Sequence, residues 1–142
     1  MTIPAKITLL TFGVSDVERS TKFYESLGWK KSDKSVEGTT FIQLGSIVLS
    51  LYTYEKLAED ALVEAGERQT FPGFTVAINC GSRDEVDTVM AQAKSVGAKI
   101  NKEAQEVFWG GYSGYFSDPD GYLWEIAHNP FFDFDDQGYL SI

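Results

Sequence analysis

One order of elements occurs twice along this chain, and that duplication limits the fold more than any other feature of the sequence. In the first half, Ile7 to Val14 is apolar with Thr8 and Thr11 interspersed, and it runs into Ser15-Asp16-Val17-Glu18, a Ser-x-x-Glu capping box. Val17, Phe23, Tyr24 and Leu27 follow at helical spacing, and Gly28 tolerates the left-handed conformation that ends a helix. Thr40 to Leu44 and Ile47 to Tyr52 then read as two strands joined through Gly45-Ser46, with a preceding strand expected around Trp29 to Lys34. The pattern restarts at Phe74. Phe74 to Cys80 is a strand, Ser82-Arg83-Asp84-Glu85 a second capping box, and Val86, Val89, Met90 and Ala93 keep helical spacing up to Gly97.

Matched positions support the duplication. Leu27-Gly28-Trp29-Lys30 has its counterpart in Val96-Gly97-Ala98-Lys99, and the hairpin recurs as Gly114 to Ser117, Asp118-Pro119-Asp120-Gly121 and Tyr122 to Ala127. The offset is roughly 65 to 75 residues, longer than a solenoid period and suited to two half-domains. Between them, Tyr54 to Ala65 places Leu57, Ala58, Ala61, Leu62 and Ala65 on one stripe, so a connecting helix is expected up to Gly66. The fold class predicted is α+β: two pseudo-symmetric βαβββ modules forming a curved mixed sheet around a cleft. The 142 residues are expected to make one domain, with module one at about 5–54, the connecting helix at about 54–66, module two at about 74–129 and a tail at 130–142.

Charge and cysteine content exclude several functions. The net charge is −9 and no basic run is present to neutralise phosphates, so nucleic acid is not an expected partner. That acidity mainly keeps the protein soluble, while favouring cationic or neutral ligands. Cys80 stands alone, which rules out an intrachain disulfide and leaves a cysteine-based metal site without its other ligands; a reducing cytoplasm fits. No apolar run approaches the roughly 20 residues that span a bilayer, so no membrane association is expected.

The string Val14-Ser15-Asp16-Val17-Glu18-Arg19-Ser20, leading to Phe23-Tyr24 and Leu27-Gly28-Trp29, resembles the first module of the glyoxalase/bleomycin-resistance/extradiol-dioxygenase (vicinal oxygen chelate) superfamily. The ending Tyr115-Phe116-Ser117-Asp118-Pro119-Asp120-Gly121-Tyr122-Leu123-Trp124-Glu125-Ile126 resembles that of its second module more specifically. The resemblance implies a homodimer. It also implies a metal site with one ligand from the first and one from the last strand of each module. Carried over by register, those positions are Leu9 and Ser50, then Thr75 and Glu125. Of these only Glu125 is a good ligand for a divalent metal, since Leu9 has no donor atom and neutral hydroxyls bind such ions poorly. No metal and no other cofactor is therefore expected.

Glu125 stands out in the apolar strand Tyr122 to Ala127, where a carboxylate needs a cation or a hydrogen-bond donor beside it. It is the candidate catalytic residue. His128, at an odd separation from Glu125, is expected on the opposite strand face. Trp109 and Tyr112, within Phe108-Trp109-Gly110-Gly111-Tyr112-Ser113-Gly114-Tyr115-Phe116, suit a stacking wall on a glycine-hinged loop, or equally ordinary sheet packing. Phe41 is a further wall candidate. Phe131, Phe132 and Phe134 in the tail suit a covered sheet edge, a closed cleft or a dimer contact. The ligand-binding set is therefore Trp109, Tyr112, Phe41, Ser50, Thr75 and Leu9.

Three functions compete on this pattern. The leading one is a metal-free protein binding a small apolar or aromatic molecule, cationic ones included, as in the bleomycin-resistance branch. The alternative is a lyase, isomerase or dioxygenase of the same superfamily, using Glu125 as a base or an atypical metal ligand. A structural or regulatory dimer with a vestigial cleft is the third.

Overall fold

Phe12 and Val14 point to one face of the first strand, β1 (Leu9–Val14), and are wholly buried, which fixes that face as the core side. The computed structural model describes residues 2–142. Its contacts divide the chain into two units, Met1–Pro72 and Gly73–Ile142.

In the N-terminal unit, helix α1 (Val17–Ser26) is capped by Asp16, whose side chain accepts from the Arg19 amide at 3.0 Å. The capping box was expected to start at Ser15. Asp16 takes the cap instead, while Ser15 Oγ is engaged by the Arg19 guanidinium, accepting from it at 2.7 Å. Strands β2 (Thr40–Leu44) and β3 (Ile47–Thr53) form the expected hairpin, and β1 joins β3 in parallel to give the order β1-β3-β2. The strand anticipated around Trp29 to Lys34 is reduced to a single bridge, Lys31 to Ile42. Its lysines offer no alternating apolar face to bury, and Trp29 instead stacks on Tyr24 at 5.5 Å between ring centroids.

Helix α2 (Tyr54–Asp60) is shorter than the stripe to Ala65 suggested. It stops because Leu62 adopts φ +57°, with the Leu62 amide donating to Glu59 O and the Val63 amide to Ala58 O. That paired pattern is a Schellman termination, reached four residues before the glycine expected to cause it.

The C-terminal unit starts with β4 (Val76–Asn79) and α3 (Arg83–Ser95). Ser82 caps α3 as expected, accepting from the Glu85 amide at 3.1 Å, while Glu85 reaches past it to accept from the Gly81 amide at 2.6 Å. Strands β5 (Lys99–Glu106), β6 (Tyr112–Ser117) and β7 (Leu123–His128) complete a sheet of order β4-β7-β6-β5, with β4 parallel to β7 and the other pairs antiparallel. The tail closes into a small hairpin, β8 (Asp133–Phe134) with β9 (Leu140–Ser141).

Each unit is thus a mixed sheet with a helix on one face, and the α+β class expected from the sequence is met. Phe12, Val14, Tyr24, Ile42, Leu49 and Leu51 form the core of the first unit; Val86, Met90, Phe116, Trp124 and Ile126 form that of the second. Among the described residues no helix is long and apolar enough to cross a membrane.

Candidate functional site

Strand parity sorts the C-terminal sheet into two faces. Gly114 lies against α3, since a Cβ on it would come within 3.0 Å of Met90 Cε. Its cross-strand partner Ile126, and the pairs Tyr112 with His128 and Phe116 with Trp124, share that side. The opposite face carries Ser113, Tyr115 and Ser117 from β6, Leu123, Glu125 and Ala127 from β7, and Ala77 and Asn79 from β4.

At the middle of that open face Tyr115 stands directly opposite Glu125, and Ala77 flanks Glu125 on the other side. The Tyr115 phenol and the Glu125 carboxylate are therefore cross-strand neighbours, and Thr75 lies just before β4. Burial first, and then the nearby negative charge of Glu125, push the phenol's pKa up, while the Thr75 hydroxyl opposes them. A carboxylate has about four lone-pair sites, so Glu125 keeps acceptor capacity for a ligand even with a phenol beside it. On the far side of Tyr115, Lys102 of β5 places Nζ 5.6 Å from the ring centroid and donates to Ser113 Oγ at 3.1 Å. Asn79 Oδ1, on the same face, is a buried acceptor without a partner.

The structure distributes the predicted residues unevenly. Glu125 stands opposite Tyr115 in the sheet, and Thr75 immediately precedes β4, the strand on the other side of Glu125. Tyr112 lies on the α3 side, its hydroxyl donating to Asp87 Oδ1 at 2.7 Å with the Arg83 guanidinium 5.2 Å from its ring centroid. Trp109 occupies the tight turn between β5 and β6, closed by the Val107 amide on Gly111 O at 3.1 Å, with its ring folded over Gly111 where any Cβ would collide with it. His128 also faces α3, Nδ1 lying 3.0 Å from Cys80 O.

In the N-terminal unit, the Thr21 and Thr40 hydroxyls meet at 2.8 Å, which assigns Thr40 and Ile42 to the α1 side and Phe41 and Gln43 to the open face. Ser50 shares that open face, flanked by Phe41 and Thr11, while Leu9 stands opposite Val48. Leu9, Phe41 and Val48 wall a hollow of about 340 Å³ whose rim is Ser32, Lys34 and Gln43.

Sequence reasoning passed over Tyr115, although counting outward from the Asp-Pro-Asp-Gly turn pairs Ser117 with Leu123, Phe116 with Trp124 and Tyr115 with Glu125. Lys102 carries no such signal, because the β5 register shifts twice between Ile100 and Gln105.

A family model described as the Glyoxalase/Bleomycin resistance protein/Dioxygenase superfamily matches residues 6–126. The chain belongs to that superfamily. A glyoxalase-related enzyme from Fulvimarina pelagi is similar over 98% of this chain and 99% of its own, at 30% identity and a TM-score of 0.84. A glyoxalase/bleomycin resistance protein/dioxygenase from Nocardioides is 25% identical, over 90% of this chain and 85% of its own, with a TM-score of 0.78. Lactoylglutathione lyase from Agrobacterium tumefaciens shares the fold, with a TM-score of 0.69 at 17% identity over 90% of this chain and 96% of its own. No curated protein matches the chain.

The metal that the superfamily resemblance implies does not fit the side chains at these positions. Ser50's neighbour in β1 is Thr11, and Glu125's neighbour in β4 is Ala77, so shifting the first-strand positions by two residues replaces Leu9 with a hydroxyl and Thr75 with a methyl. In either register Glu125 is the one strong donor, and zinc, nickel or iron needs several imidazole, thiolate or carboxylate groups. Among the described residues no three His, Cys, Asp or Glu side chains come together to hold an ion.

Proposed function

We propose that this superfamily member binds a small aromatic or apolar molecule without a metal, using Glu125 as the acceptor that orients it. The observation that carries this reading is the Glu125 carboxylate standing in mid-strand directly opposite the Tyr115 phenol, on the face of the C-terminal sheet turned away from α3. A carboxylate set beside a phenol and still able to accept suits a ligand hydroxyl or amine, including a cationic one, and such bonds run stronger than neutral ones. Tyr115 adds a ring for stacking.

The test is a thermal-shift screen of aromatic alcohols, amines and acids against chelator-treated protein. A ligand held at 100 times its Kd is expected to stabilise the fold by about 2.7 kcal/mol. Glu125→Gln should lose most of that gain while melting near the wild-type temperature when unliganded. Ligands that bind only after a divalent metal is added, or equally well to Glu125→Gln, would sink the reading.

A further inference from the structure

Lys102 is only half exposed, yet its ammonium is served by one serine hydroxyl and the face of one ring. An ammonium has three donors, and the bond to Ser113 uses one. Among the described residues no carboxylate forms an ion pair with it. In a chain with 21 acidic residues, a partly desolvated lysine without a carboxylate partner is a cation held back from neutralisation. Ser113, 1% exposed, and the Tyr115 ring hold it there, on the same open face as Glu125 and across Tyr115 from it.

Resting on the binding reading above, we propose that this face selects a small aromatic acid: the carboxylate of the ligand pairs with Lys102, and a hydroxyl or amine at its other end donates to Glu125. The two protein groups sit on strands either side of β6, so their backbones are about 10 Å apart, two strand spacings. The Lys102 ammonium leans over the Tyr115 ring, 5.6 Å from its centroid, so one substituted ring is long enough to span the gap that remains to Glu125. A ligand with charge at both ends would meet Lys102 with its anion and Glu125 with its cation. A purely cationic ligand would meet repulsion at Lys102.

Three probes separate the contributions: 4-hydroxybenzoate, its methyl ester, which loses the anion, and benzoate, which loses the hydroxyl. Isothermal titration should show 4-hydroxybenzoate binding about tenfold more tightly than either relative, the worth of one charge-assisted hydrogen bond. Lys102→Gln should remove the advantage of acid over ester and leave that of hydroxybenzoate over benzoate; Lys102→Arg should restore much of the first. Glu125→Gln should do the reverse of Lys102→Gln. Circular dichroism melting of each variant checks that the sheet is intact. Equal binding of acid and ester to the wild type, or a Lys102→Gln loss shared equally by all three probes, overturns the role of Lys102 and leaves the Glu125 reading standing. Should none of the probes bind, the aromatic-acid assignment falls, and the broader screen decides the binding reading separately.

Discussion

Asp118 is buried to 5% exposure, and its Oδ1 accepts from the amides of Asp120 and Tyr122 at 2.9 Å each. Alanine there would strand two amides in the turn that sets the β6–β7 register, so Asp118→Ala should cost about 3 kcal/mol in urea unfolding. Asp118→Asn keeps an acceptor and should cost about 1 kcal/mol. A loss under 1 kcal/mol for alanine would mean the turn holds without the side chain. Cys80 offers a pH signature. Burial first, and then the charge of Glu85, pushes its thiol from 9.0 up to about 11. Between those values the native state binds more protons than the unfolded one, so stability falls as pH rises through that window. The raised phenol of Tyr115 acts in the same direction above its ordinary value. Cys80→Ala should therefore flatten the decline between pH 9 and 11, measured by denaturation at each pH; an unchanged slope would assign the decline to other groups. Of the candidate site, Glu125 was legible in the sequence because an ionisable group in an apolar strand violates the burial pattern. The residues near it on that face were less so: Tyr115 needs the hairpin register, and Lys102 looks like any surface lysine until the strand beside it is placed.

Among the elements, helices announced themselves through caps and periodicity, and departures from expectation have local causes. α2 ends at a left-handed leucine that is 93% exposed, so its side chain has no packing to lose. A left-handed L-residue costs roughly 1–2 kcal/mol, while glycine adds unfolded-state entropy of somewhat under 1 kcal/mol. Leu62→Gly should therefore stabilise the protein by about 0.5–1 kcal/mol, read as a higher urea midpoint at unchanged m. A lower midpoint would show that the Schellman turn is not under strain. β5 was the element least visible in the sequence. Lys-Ile-Asn-Lys-Glu-Ala-Gln-Glu has too few apolar residues for a strand signal, and the segment is extended because β6 pairs with it at the sheet edge. Its counterpart in the first half has the same weakness and keeps only the Lys31 to Ile42 bridge. Strands whose order depends on a neighbour's hydrogen bonds, rather than on their own apolar face, leave little trace in a single sequence.

At the scale of the molecule, the duplication seen in the sequence maps onto two units, each closing its own core with its own helix. What the repeat could not convey is how differently its copies are equipped. Phe41, Ser50 and Thr11 occupy one open face where Tyr115, Glu125 and Ala77 occupy the other, so a phenol–carboxylate pair in one copy stands where a ring and a small hydroxyl stand in the other. A functional proposal therefore rests on side chains after the strands are placed, because the repeat constrains backbone and not chemistry. The segment between the units carries a prediction of its own. From Val63 to Thr75 the chain forms no helix or strand and is mostly exposed, and Arg68 is the one tryptic site within it. A protease must draw about ten residues into an extended form, which costs least where no ladder or helix has to break. Brief trypsin treatment of the native protein should cut first after Arg68, giving fragments 1–68 and 69–142 by mass spectrometry. The Arg68 guanidinium lies 5.1 Å from the Tyr54 ring centroid, a surface contact that slows cutting without preventing it. Arg68→Gln should then abolish the first cleavage and leave slower cuts at the lysines around Ser32. Initial cleavage inside α3 or β5 would instead show that the second unit opens before the linker does.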